Sequence, residues 1–88
     1  MGNTKAAPLE PDLTLWGERV AAARGERELS QVVLAARLAK ATGLKIDQSY
    51  VSKIERGLRA PTEAQRTALA RILKTTVWAL FPYPDDVR

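Results

Sequence analysis

From Leu13 onward, apolar residues recur at helical spacing. Trp16, Val20 and Ala23 fall at i, i+4 and i+7, and Arg27 takes the next place in the stripe, so charge closes this face near Glu26–Glu28. The spacing predicts a first helix over 13–27, capped by Asp12 or Thr14. Ser30 is a good N-cap, Val33, Leu34, Leu38 and Ala41 follow three to four apart, and Gly43 stands where a C-terminal glycine would, predicting a second helix over 31–42. Asp47 can cap a short third helix, 48–56, with Val51, Ile54 and Leu58 on one face and Gly57 at its end. Thr62 stands three residues before Gln65 as in a capping box, and Ala68, Leu69, Ile72 and Leu73 form the stripe of a fourth helix, 63–73. Thr75 or Thr76 caps a last short helix, 77–81, which Pro82 stops. No useful length alternates at period two and nothing repeats, so an all-α fold of five helices is expected.

The flanks read differently. Residues 1–12 contain two prolines and little apolar content, so they are expected to form a flexible N-terminal arm; 13–81 is the folded domain and 82–88 a C-terminal tail. The start Met-Gly-Asn-Thr-Lys-Ala matches a myristoylation signal only until Ala6, where Ser or Thr is required. A chain of 88 residues fits one domain near the lower size limit for a lone core.

Composition narrows the chemistry. With no Cys and no His, disulfides, thiolate zinc sites, the commonest metal ligand and the commonest general base are all excluded. An enzyme is therefore not expected, and neither is a metal or cofactor. No apolar run approaches the ~20 residues of a membrane span and no signal peptide opens the chain, so a cytoplasmic protein without a membrane partner is expected. The net charge is +4, and residues 13–81 carry 12 basic against 6 acidic side chains. A basic domain between slightly acidic flanks points to a polyanionic partner, although surface charge kept for solubility gives the same balance.

One string makes the partner specific. Gln48-Ser49-Tyr50-Val51-Ser52-Lys53-Ile54-Glu55-Arg56-Gly57 resembles the recognition helix of the Cro/C1-type (XRE-like) helix-turn-helix family. The resemblance extends over residues 15–81: Gly17-Glu18-Arg19-Val20 and Arg24 in the first helix, Leu29-Ser30-Gln31 and Leu34-Ala35 in the second, Pro61 before the fourth, and Trp78-Ala79-Leu80-Phe81 at the close. It implies a five-helix lambda-repressor-like DNA-binding domain that uses double-stranded DNA as its partner.

If Val51 and Ile54 face the core, Gln48, Ser49, Ser52 and Lys53 point outward, where a helix in the major groove meets base edges. Gln pairs with adenine and Lys donates to guanine, so Gln48 and Lys53 are the principal expected readers and Ser49 and Ser52 the secondary ones. The resemblance implies a phosphate contact for Gln31 at a helix N-terminus, and backbone contacts for Arg56 and Arg59 beside Gly57. Tyr50 is assigned to the backbone through sugar stacking, with packing against the Leu44-Lys45-Ile46 turn as the alternative. Arg24 and Glu55 are read as the family's buried ion pair, structural and not contacting DNA. Trp78, Leu80, Phe81 and Tyr83 concentrate aromatic and apolar side chains near the end of the chain; some must fill the core under the first and last helices, and the surplus suggests a homodimer interface as in the resembling repressors.

The chain departs from the family between the second and third helices, where eight residues, Ala39 to Ile46, separate Leu38 from Asp47. Ala39-Lys40-Ala41-Thr42 is expected to lengthen the second helix by about one turn before Gly43 reverses the chain. Lys40 and Lys45 on this lengthened turn are further backbone candidates. The expected function is a sequence-specific transcriptional regulator of phage, plasmid or bacterial type, acting from the nucleoid as a repressing homodimer on a pseudo-palindromic operator. The alternative is an antitoxin-like protein that mainly binds a second protein and represses its own promoter.

Overall fold

The computed structural model describes residues 10–83. Five helices form in the expected order: α1 (Leu13–Glu26), α2 (Gln31–Thr42), α3 (Gln48–Glu55), α4 (Glu63–Ile72) and α5 (Val77–Leu80), with no strand among the described residues. Each begins at a side-chain cap. Asp12, Ser30, Asp47, Thr62 and Thr76 accept from the backbone N–H groups of Leu15, Val33, Tyr50, Gln65 and Ala79, satisfying donors that a helix start leaves free. At Thr62 the exchange is reciprocal, because the Gln65 side chain returns a bond to the Thr62 N–H.

Helices α1, α3, α4 and α5 stop one residue short of the expected ends, where Arg27, Arg56, Leu73 and Phe81 become C-caps. The reason is visible at α1, α3 and α4, which each close with a paired turn. Leu29, Leu58 and Thr75 donate five residues back, and Glu28, Gly57 and Lys74, at φ values of 56, 76 and 57°, donate three residues back. At α3 this reversal turns Leu58 outward to 63% exposure, so Leu58 does not share the core face with Val51 and Ile54. Val33 and Ala41 also point to solvent; the buried face of α2 is Leu34, Ala35 and Leu38.

The core is one cluster drawn from all five helices, with Trp16, Val20, Leu34, Leu38, Val51, Ile54, Leu69 and Leu73 almost wholly enclosed. Trp16 anchors the chain's end. Its indole Nε1 donates to the Pro82 carbonyl at 2.8 Å, and the rings of Phe81 and Tyr83 meet it edge-on, each with centroids 5.2 Å away. Packing on α1 thus continues to Tyr83, and of the two expected caps Asp12 is the one that serves α1. The remainder of the expected arm and tail, residues 1–9 and 84–88, lies outside the described residues.

At the crossing of α1 and α3, Gly17 faces the last turn of α3 with no side chain between. A Cβ there would stand 2.6 Å from the Ile54 carbonyl oxygen and closer still to that of Glu55, and backbone cannot yield as a flexible side chain can. Gly17→Ala should therefore force the helices apart and cost about 1–3 kcal/mol, as overpacking does. Thermal unfolding should show a midpoint drop of about 4–8 °C for each kcal/mol lost. An unchanged midpoint would mean that the two helices are not held in this contact.

Candidate nucleic-acid interface

The arrangement of α3 follows from its two ends. Asp47 starts it, with Oδ1 accepting from the Tyr50 N–H at 3.0 Å, and Val51 and Ile54 pin its inner face. Gln48, Ser49 and Lys53 are then exposed and Ser52 half-buried, so the structure brings all four expected readers to one outward surface. Gln48 and Ser52 stand on one row spaced four apart that continues to Arg56, whose Nε donates to the Ser52 Oγ at 3.2 Å. Ser49 and Lys53 form the adjacent row.

The other end of α3 is held by charge. Arg24 grips Glu55 with two nitrogens, Nε to Oε2 at 2.6 Å and Nη2 to Oε1 at 3.0 Å, while its Nη1 donates to the Leu29 carbonyl at 2.8 Å. Side-chain exposure is 22% for Arg24 and 7% for Glu55, so this is a largely buried pair with most of its donors and acceptors engaged. The hydrogen bonds that the guanidinium donates to Glu55 hold it above its ordinary pKa; burial opposes them and the carboxylate's charge adds to the rise.

The same carboxylate organises the reading edge. Gln31 Nε2 donates to Glu55 Oε1 at 2.9 Å, and Gln48 Nε2 donates to Gln31 Oε1 at 3.0 Å. Because a carboxylate only accepts, Glu55 fixes which end of the Gln31 amide faces it, and that in turn fixes the polarity of Gln48. Gln48 is left with its carbonyl oxygen and one N–H, the pattern that complements an adenine edge. Gln31, expected on a phosphate, is half-buried and bridges Glu55 and Gln48, with one Nε2 hydrogen not used in these two bonds.

Two other expectations change. The Tyr50 hydroxyl donates to Oε1 of buried Gln65 at 2.7 Å, which ties α3 to α4, and the residue lines one cleft with Leu44, Lys45 and Ile46. The Arg59 guanidinium lies over the Tyr50 ring, 5.3 Å from its centre, while Arg56, Lys40 and Lys45 are exposed. Of the four residues expected at a dimer interface, Leu80 and Phe81 are 3% and 2% exposed and belong to the core of a single chain, and Tyr83 packs on Trp16. Trp78, 52% exposed, remains, joined by Val77, which the sequence reading had not singled out.

The lengthened connection takes the expected course. Helix α2 runs to Thr42, whose Oγ1 donates to the Leu38 carbonyl at 2.8 Å, and Gly43 at φ 73° turns the chain toward residues 44–47. Between this segment and the Ser49–Lys53 row lies an open cleft of about 630 Å³. Among the described residues no helix is long and apolar enough to cross a membrane and no acidic cluster could hold a metal ion.

A short capped helix seated across a preceding helix, with a polar outward face, defines a helix-turn-helix domain. The helix-turn-helix family model matches residues 20–77, and the chain belongs to the Cro/C1-type helix-turn-helix family of DNA-binding transcriptional regulators. It is similar to the restriction-modification controller protein C.AhdI from Aeromonas hydrophila, at 36% identity and TM-score 0.62, over 80% of this chain and 97% of that one. It is also similar to the P22 c2 repressor, solved in complex with a synthetic operator, at 29% identity and TM-score 0.62, over 77% and 94% of the two chains. The DNA-binding domain of BldD, 24% identical with TM-score 0.61 over 81% and 94%, shares the fold. A search of curated protein sequences gives no match.

Arg24→Met should leave Glu55 buried without its cation and cost about 3–5 kcal/mol in urea unfolding, whereas Arg24→Met with Glu55→Met should recover most of that loss. A loss below about 1 kcal/mol would make the pair no more than a surface bridge. Since the folded-state pKa of Arg24 is raised, its stabilisation is fully present below the ordinary guanidinium range and is lost only above it. Stability should accordingly show no decline attributable to Arg24 between neutral and moderately alkaline pH.

Proposed function

We propose that this protein is a sequence-specific transcriptional regulator that places α3 in the major groove of a pseudo-palindromic operator and acts as a homodimer, most simply as a repressor. The observation that carries this reading is the chain of bonds from Arg24 through Glu55 and Gln31 to Gln48, which presents a side chain of fixed polarity at the start of an exposed helix. A glutamine so constrained loses little freedom on pairing with a base, and that favours discrimination over general adhesion.

Similarity to a restriction-modification controller and to a phage repressor solved on its operator supports a role in switching a promoter. Arg56 and Arg59, exposed beside Gly57, supply backbone contacts that position the helix without reading sequence. The exposed Val77 and Trp78 pair is the surface through which two protomers meet. Nothing in this role calls for catalysis, a cofactor or a membrane, and it belongs in the cytoplasm at the nucleoid.

Selection of bound sequences from random DNA tests the reading, and a two-fold symmetric motif is expected. Sedimentation should find two protomers on each site, with recognition helices about 34 Å apart to match successive major grooves; a single protomer at saturation contradicts the dimer. Gln48→Ala should cost about 1–3 kcal/mol on the selected site and far less on unrelated DNA. If the ratio of specific to non-specific affinity were unchanged, α3 would not be the reading element.

A further inference from the structure

The outward surface of α3 is divided. Its Gln48–Ser52–Arg56 row leans on Gln31 and on its own side-chain bonds, whereas its Ser49–Lys53 row borders the cleft closed on the far side by Leu44, Lys45 and Ile46. The cleft thus has one wall from the recognition helix and one from the segment that lengthens the α2–α3 connection.

Its chemistry is cationic at the rim and apolar below. Lys45 and Lys53 are both exposed, while the acid that also borders the cleft, Asp47, has Oδ1 committed to capping α3. The Tyr50 hydroxyl is turned away to Gln65. Leu44 is 54% exposed, an apolar group offered to a partner at the edge of a basic cleft.

Shape selects the occupant. When a helix enters the major groove, its convex face meets the groove floor, and any concavity beside it must take the ridge that borders the groove, which is a sugar-phosphate strand. We propose that the cleft between residues 44–47 and the Ser49–Lys53 row seats one backbone strand of the duplex, with Lys45 and Lys53 as its cationic walls and Leu44 against the sugar. Lys53 then serves the backbone, not a guanine, and base discrimination falls to the Gln48 row. Lys40, on the last turn of α2, does not border the cleft and takes no part. This assignment rests on α3 being the recognition helix, and it makes the added segment a second DNA-contacting element.

The test is the salt dependence of operator binding for wild type, Lys45→Gln, Lys53→Gln and Lys40→Gln, measured beside the preference for operator over unrelated DNA. Each neutralised phosphate contact should lower the slope of log K against log salt by about 0.9 per bound subunit, so Lys45→Gln and Lys53→Gln should each show that fall and keep the wild-type preference. Lys40→Gln should leave the slope unchanged. All three are exposed-surface changes, and a wild-type thermal midpoint confirms folding. A wild-type slope for either Lys45→Gln or Lys53→Gln, an equal fall for Lys40→Gln, or an altered base preference for Lys53→Gln would overturn the seat. If the wild-type protein selected no sequence, or Gln48→Ala kept full preference, the recognition-helix reading would fall and the seat with it. Selective binding by wild type with unaffected lysine variants would remove the seat alone.

Discussion

The Arg24–Glu55 pair is the constraint on which the reading surface depends. It joins α1 to the end of α3, and through the Leu29 carbonyl and the Gln31 amide it takes in the turn before α2 and the start of α2 itself. Its value to net stability is modest, because removing two charges from water offsets much of their attraction. Its value to geometry is larger. A bidentate guanidinium and carboxylate accept only a narrow range of distances and angles, so three helices that hydrophobic packing alone would let slide are held in one register. Gly17 makes this possible, since Gly17 and Arg24 lie two turns apart on one face of α1 and the missing Cβ lets that face close on the carbonyls of Ile54 and Glu55.

The opposite end of the molecule is fixed by a different device. Trp16 collects Phe81, Tyr83 and the Pro82 carbonyl, and Arg19 donates to the Ala79 carbonyl at 2.8 Å, so α5 is bound to α1 by aromatic packing and by hydrogen bonds from two donors. Phe81 and Tyr83 are thereby spent inside a single chain. What they leave outside is a small apolar surface at Val77 and Trp78, backed by a firmly seated turn. On the proposed dimer reading, a small patch on a rigid base suits an association that strengthens when two protomers are held on one DNA, because the second contact then becomes intramolecular.

Spacing made local signals legible, whereas the Arg24–Glu55 pair, thirty-one positions apart, was legible through the family resemblance alone. Asp12, Ser30, Asp47, Thr62 and Thr76 all cap as expected, since a cap needs only a neighbour three residues away. The reversals at Glu28 and Lys74 left no mark, because neither is the glycine or asparagine that ordinarily announces a left-handed residue. Leu58 was misplaced for a related reason: helical periodicity was carried past Gly57, where the helix no longer exists. The inward turn of Tyr50 depends on Gln65, fifteen positions away, and that of Gln31 on Glu55, twenty-four positions away; spacing within one helix contains neither fact. The burial of Leu80 and Phe81 followed the same logic, since both join a core drawn from all five helices, where Phe81 meets the distant Trp16 edge-on. The outward row of α3 was readable because Val51 and Ile54, on that same helix, determine it by phase alone.

The lengthened α2–α3 connection sits where the fold tolerates it best. Gly43 ends α2 with a bond from its own N–H to the Ala39 carbonyl at 2.8 Å, and Asp47 begins α3 with its own carboxylate, so of the residues between only Leu44 bonds a helix end, its N–H donating to the Thr42 Oγ1 at 3.3 Å. The intervening segment can change length at a small entropic cost while α2 and α3 keep their contacts with the core. Yet its position is not neutral, since it leads directly into α3, the proposed reading helix. The α3 docking angle is set by Arg24 and Glu55 at one end of the helix, and the connection adds its side chains at the other. On the proposed reading, residues 44–46 can therefore alter affinity without disturbing the ion pair that holds α3, which separates the part of the molecule that keeps its shape from the part that can vary its grip.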